Sequence, residues 1–283
     1  MQHPVAYLLV FHGSRDPRPP LAAQTLAQLV AQRLQHAQES STLGVVGGER
    51  SLWTIDAPPR PVAGSATATL QPHVGIASLE GHPLPLHQQI EQFAQTLLPT
   101  LTPVRLVVLP LFLLAGVHVM EDIPAELALA QQALGQQVTI DLHPHLGSHP
   151  KLQRVITERM ATLPVEAWIL LAHGSRRAGA NQPIEAMAER LGALSAYWSV
   201  PPSLESRLQS LIQLGLSRVA ILPYFLFSGG ITDAIAQRVE ALAQQFPTLD
   251  LQLTAPLDAS AEIADLLVEL CDAGESASDT VRA

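Results

Sequence analysis

The sequence predicts an α/β fold made of two tandem units, each a parallel sheet covered by helices on both faces. Three observations lead there. The string His-Gly-Ser-Arg closes an apolar run twice, at residues 12–15 and again at 173–176. Two further runs, VRLVVLPLFLL (104–114) and RVAILPYFLF (218–227), match down to a shared Leu-Pro pair. Apolar runs of strand length also alternate with helical periodicities along the chain, the pattern of parallel strands joined by right-handed crossovers.

In the first unit, VAYLLVF (5–11) is a strand that stops at His12-Gly13-Ser14 and a proline-broken loop. A helix follows through Leu21, Leu26, Leu29, Val30 and Leu34. VGIASL (74–79) is the second strand, and a helix runs from about Pro85 to Leu98. Residues 104–114 form the third strand, whose β-branched run suits burial on both faces. After Gly116 come a helix from Met120 to Leu134, a strand at 138–142 and a helix from Pro150 to Met160. The second unit repeats this order. Its strands are predicted at 167–172, 195–199, 218–227 and 249–254, and its helices at 183–191, 204–214, 231–246 and 261–270.

The layout is flavodoxin-like, with units at 1–162 and 165–271 and a linker near Thr162–Val165. Residues 41–73, rich in Gly, Pro, Ser, Thr and Ala, have no counterpart in the second unit and read as a flexible surface insertion. The tail 272–283 reads as disordered.

Composition narrows the function classes. With 47% hydrophobic and 14% charged residues the chain can build substantial cores. A net charge of −9 without any Lys/Arg block argues against nucleic-acid binding. The lone Cys271 excludes an internal disulfide or a cysteine metal cluster. The apolar run at the N-terminus is too short to span a bilayer and lacks a basic start and cleavage site, so no membrane association and a cytoplasmic location are expected.

In open parallel sheets ligands bind beyond the carboxyl ends of the strands, where strand order reverses. His12 follows the first strand and His118 the third, which are neighbours in this layout. Glu80, after the second strand, reaches the same edge. Two imidazoles and a carboxylate make an open site for a divalent ion. His143, His145 and His149 form a second cluster, read as structural loop histidines or as an auxiliary metal site. There is no G-x-S-x-G elbow to support a hydrolase reading of Ser14 or Ser175, and neither a P-loop nor G-x-G-x-x-G.

The stretches LVFHGSRDP (9–17), ASLEGHPLPL (77–86), VVLPLFLLAGVHVMEDIP (107–124) and HPHLGSHPKL (143–152) resemble the sirohydrochlorin chelatases of the CbiX/SirB type, class II tetrapyrrole chelatases. LLAHGSRRAG (170–179) and VAILPYFLFSGGITDAI (219–235) extend the resemblance into the second unit, as in the long two-unit members. The resemblance implies a chelatase-like fold and insertion of Co2+ or Fe2+ into sirohydrochlorin, for cobalamin or sirohaem synthesis. The metal is then a substrate, and no permanent cofactor is implied. His12, His118 and Glu80 match the metal-handling residues, with either histidine serving as ligand or as base and Glu80 assisting. Ser14, Arg15 and Arg18 are candidates to hold the macrocycle's carboxylates.

The second copy departs from the pattern. Ile231 or Thr232 stands where His118 would, and Val200 or a close neighbour stands opposite Glu80, leaving His173 alone. The second unit is therefore expected to be catalytically silent and to replace a dimer partner, giving a monomer that acts as an intramolecular pseudo-dimer. The alternatives are a metal- or tetrapyrrole-binding carrier without chemistry, and a serine hydrolase.

Overall fold

The computed structural model describes residues 4–44, 72–101 and 103–280. The first half contains β1 (Val5–Phe11), α1 (Arg18–Gly44), β2 (His73–Ser78), α2 (Leu86–Leu97), β3 (Val104–Pro110), α3 (Ile123–Leu134), β4 (Val138–Leu142) and α4 (Leu152–Met160). The second half contains β5 (Ala167–Ala172), α5 (Gln182–Leu191), β6 (Leu194–Tyr197), α6 (Leu204–Gln213), β7 (Arg218–Pro223), α7 (Gly230–Gln245), β8 (Asp250–Leu253) and α8 (Ala261–Thr280). Each half forms a four-stranded sheet, in the orders β2-β1-β3-β4 and β6-β5-β7-β8. Every pairing is parallel. One α/β topology is thus present twice.

The central strands are apolar on both faces because both faces are covered. Along β1, Leu8 and Val10 pack outward with Ile90 of α2 and Ile123 of α3. The alternate residues Leu9 and Phe11 pack inward with Leu26 and Val30 of α1. β5 does the same, with Ile169 and Leu171 facing α6 and α7, and Leu170 and Ala172 facing inward. The inner layer is shared: α1 and α4 of the first half and α5 and α8 of the second contribute to one core, through residues such as Ile156, Ile184 and Leu267. The two sheets therefore lie either side of a common helical layer, and each half completes the other's hydrophobic core. Polar ties join the halves at its margin, including Arg33 to Asp265 at 2.6 Å and Arg159 to the carbonyls of Pro256 and Leu257.

Several boundaries differ from expectation for identifiable reasons. The strands expected to reach 114 and 227 end at Pro110 and Pro223. Proline has no N–H to extend a ladder, and the neighbouring β1 and β5 run out at Phe11 and Ala172. Leu111 and Tyr224 still donate to Val10 and Leu171, and the chain then turns outward over the sheet edge. The strand expected at 195–199 ends at Tyr197. Of the expected insertion, 41–44 close α1 and His73 opens β2, while 45–71 lie outside the described residues. The tail expected to be disordered from 272 instead continues α8 to Thr280. Adding residues to a nucleated helix needs only propagation, which Ala and Glu support. Among the described residues no helix is long and apolar enough to cross a membrane.

Candidate active site

The loops leaving β1, β2 and β3 meet at the switch point of the first sheet, where the chain crosses to β2 on one side and to β4 on the other. There the structure brings His12, Glu80 and His118 together: one ligand atom from each lies within 4.8 Å of the others. The imidazoles of His12 and His118 meet edge to face, with centroids 4.9 Å apart and planes at 85°, and the Phe112 ring packs 6.3 Å and 6.1 Å from them. Donors around an ion at about 2.1 Å span at most about 4.2 Å. The trio therefore needs adjustments of less than about an ångström to close on a metal. Nitrogen and oxygen donors in this mixture suit first-row divalent ions.

The repeated His-Gly pair has a backbone cause. Gly13 has φ +95°, and a Cβ there would stand 1.8 Å from the carbonyl oxygen of Glu80. Only glycine lets the two loops come this close. The approach is held by Glu80 N–H donating to the His12 carbonyl at 2.8 Å. Gly174 repeats the arrangement with φ +81°, its Cβ position falling 2.7 Å from both Tyr197 and Val200. Gly13 thus brings the acid of the β2 loop alongside the histidine of the β1 loop.

His118 opens a single π-helical turn, His118–Asp122, that leads into α3. Such turns are rare and recur at functional sites. Here it aligns Asp122 with His118, whose Nδ1 is 2.7 Å from the Asp122 carboxylate. A carboxylate only accepts, so Nδ1 carries the proton and the lone pair sits on Nε2. Asp122 was not among the predicted site residues. The i,i+4 spacing in HVMED was the available signal.

His12 and His118 line a cavity of about 580 Å3 shared between the two halves, with Glu80 beside them, within the roughly 300–1,000 Å3 of small-molecule sites. The first half contributes Phe112, Leu113 and Leu114, and the second contributes Tyr224, Phe225 and Phe227, so much of the wall is apolar. Ser14, Ser175, Asn181 and Thr232 supply polar groups.

Among the predicted carboxylate-binding residues, Ser14 lines the cavity and accepts from Asp16 N–H at 3.0 Å. Arg15 is exposed and makes no ion pair with any described residue. Arg18 is placed differently from the expectation. Its Nε and Nη2 donate to Asp16, while Nη1 and Nη2 donate to Asp233 at the start of α7, at 2.9 and 2.6 Å. The Arg18 guanidinium holds the Asp16 carboxyl at about 2, and the paired carboxylates raise the Arg18 pKa. Arg18 thus ties the β1 loop of one half to α7 of the other, and its partner lies too far away in sequence to be anticipated.

Two of the 143–149 histidines, His143 and His149, are tied to α8. Buried His143 bonds through Nδ1 to the Leu270 carbonyl of α8 at 2.9 Å. Buried His149 accepts from Lys151 N–H and turns Nε2 toward Glu269, 3.4 Å away. Burial lowers the pKa of His149, against the opposing pull of Glu269, and burial likewise lowers that of His145. This loop docks the first half onto α8.

The second half lacks the trio. Ser199 N–H donates to the His173 carbonyl as Glu80 does to His12, so the counterpart of Glu80 is Ser199, a neighbour of the expected Val200. Counting from the shared Leu-Pro pairs, Ile231 replaces His118 and Ile235 replaces Asp122. Ile235 is fully buried. His173 remains on the cavity wall.

Comparison with known proteins finds a family and related folds. The CbiX family model matches residues 69–163 and 167–273, segments that include Glu80, His118 and His173. A sirohydrochlorin ferrochelatase of Priestia megaterium is 25% identical over 158 residues, and the chain spans 59% of that relative's length. Among solved structures, SirB from Bacillus subtilis with Fe3+ has a TM-score of 0.66 at 19% identity, covering 95% of this chain and 94% of that one. The sirohydrochlorin chelatase SirB of Bacillus subtilis subspecies spizizenii, in complex with cobalt, gives 0.62 at 19% identity, covering 94% and 93%. At such identities the structural likeness is one of fold.

Proposed function

The chain belongs to the CbiX family, and from that premise we propose that it inserts a divalent metal ion, Co2+ or Fe2+, into sirohydrochlorin, in cobalamin or sirohaem synthesis. The observation that carries this reading is the convergence of His12, Glu80 and His118 where the two histidines line a largely apolar cavity. Residues 1–162 are the unit that handles the metal, and 165–271 the unit that completes the cleft in a monomeric pseudo-dimer. The metal is substrate, and the product macrocycle carries it away.

The apolar walls accept the faces of a flat macrocycle, and Phe112 and Phe225 stand where ring edges or faces can stack. The His118 lone pair on Nε2, oriented by Asp122, and the imidazole of His12 hold the ion over the ring. An ion held by the two imidazoles keeps positions open, so ring nitrogens replace these ligands one after another. Glu80 is positioned to take a pyrrole proton on the metal's side of the ring. The ring's carboxylates reach Ser14, Ser175, Asn181, Thr232 and Arg15 at the margin.

The carrier reading drew on the 143–149 histidines, and the engagement of His143 and His149 with α8 weakens that support. Mixing the protein with sirohydrochlorin and Co2+ or Fe2+, and following the macrocycle's absorbance, tests the proposal. Insertion faster than in protein-free buffer is the expected result. A rate equal to the spontaneous one would leave a carrier.

A further inference from the structure

Metal insertion breaks two pyrrole N–H bonds and forms metal–nitrogen bonds in their place, without any change of oxidation state. The two protons offset the charge of the entering ion and must go to bases. A histidine whose lone pair holds the ion cannot at the same time accept a proton through that nitrogen. His12 and His118 are committed in this way, which leaves Glu80 as the free base on the metal's side.

The wall contributed by the second half offers one more. Of the described side chains that the second half contributes to the cavity, only His173 and Tyr224 ionise. Burial pushes the Tyr224 phenol up to about 12, and its hydroxyl is directed to the Leu113 carbonyl at 3.5 Å, so it exchanges no proton near neutrality. His173 is exposed. Its backbone is held like that of His12, with Gly174 at φ +81° and the His173 carbonyl accepting from Ser199 N–H at 2.9 Å and from the Ser199 hydroxyl at 2.8 Å. With Ile231 and Ser199 replacing His118 and Glu80, this wall has lost the groups that would help an imidazole hold an ion, yet it keeps the imidazole. The surrounding charges are Arg176 and Arg177 on its own loop and Glu185 on α5, which accepts from the Tyr197 hydroxyl. Asp233 on α7 is committed to Arg18.

We propose that His173 is a catalytic base for the face of the macrocycle turned away from the metal. It takes one pyrrole proton and releases it to solvent while Glu80 takes the other. This inference rests on the chelatase reading above. The second half, silent toward the metal, then serves the proton half of the reaction.

The test compares the full-length wild-type chain with His173→Ala and His173→Gln in Co2+ insertion, across pH and with Co2+ affinity measured separately on the chain alone. Circular dichroism confirms that each variant is folded. The expected result is a kcat lowered about 100-fold, the low end of general-base contributions, with Co2+ affinity unchanged. The acidic limb of the kcat profile should be altered, and added imidazole should restore part of the rate in His173→Ala. Wild-type kcat and pH profile in both folded variants would overturn the proposal. So would a parallel loss of Co2+ affinity, which would make His173 a ligand. If the wild-type chain itself gave no acceleration, the chelatase reading would fail first, an outcome distinct from either.

Discussion

His118 and Asp122 are joined across one π-helical turn, the imidazole Nδ1 lying 2.7 Å from the carboxylate. The bond fixes the tautomer and aims the free lone pair of Nε2 away from the helix. Asp122→Asn keeps the shape but removes the charge, and an amide can present either a donor or an acceptor to the ring. Co2+ affinity and kcat should each fall by about 10–100-fold, as for other groups behind a ligand histidine. Titrating apo-protein with Co2+ by its visible absorbance checks this. An unchanged affinity would mean that the bond is incidental.

Arg18 divides its donors between Asp16 and Asp233, and a paired test separates bridging from substrate binding. If Arg18 acts as the bridge, Asp233→Asn should raise KM for sirohydrochlorin to the same degree as Arg18→Ala, with Co2+ affinity untouched. If Arg18 instead binds substrate carboxylates, Asp233→Asn would free the guanidinium and lower KM. Both effects should shrink in high salt, because these groups are exposed.

Burial lowers the His149 pKa below its ordinary 6.5, and lowers that of His145 in the same loop. A histidine with a lowered folded pKa binds protons more readily in the unfolded chain. Its contribution to stability is therefore complete above about 6.5 and declines as the pH falls through that value toward the folded pKa. The melting temperature should drop between pH 7.5 and 5.5, and the drop should be smaller in His149→Gln. The lowered carboxyl groups Asp16 and Glu269 stay ionised over this range and do not mimic the effect.

Gly13→Ala should cost more than Gly135→Ala, although both sites have positive φ. At Gly135 (φ 61°, ψ −142°) nothing lies within 4 Å of the added methyl group, leaving only the backbone penalty of about 1–3 kcal/mol. At Gly13 the methyl group meets the Glu80 carbonyl and must push the β2 loop away. Urea unfolding gives the two stabilities, and Co2+ titration should show weakened binding for Gly13→Ala alone.

The sequence exposed whatever depends on local pattern or on topology. The doubled His-Gly string was legible because the same loop approach demands glycine in both halves. His12, Glu80 and His118 could be brought together on paper because parallel strand order dictates which loops share an edge. What stayed hidden were contacts set by packing between the halves. Arg18 read as a candidate partner for the macrocycle's carboxylates because Asp233 enters only once α7 docks beside the β1 loop. The 143–149 histidines read as either structural or an auxiliary metal site because α8, which engages His143 and His149, follows more than a hundred residues later. Asp122 was visible at i,i+4 but meaningful only with a π turn beneath it.

The central claim is that metal chemistry belongs to the first half, at His12, Glu80 and His118. The most direct measurement is the Co2+ insertion rate of folded His118→Ala beside wild type, with sirohydrochlorin saturating. The account predicts a fall of about 10²–10⁴-fold, toward the protein-free rate. A wild-type rate in that variant would contradict it.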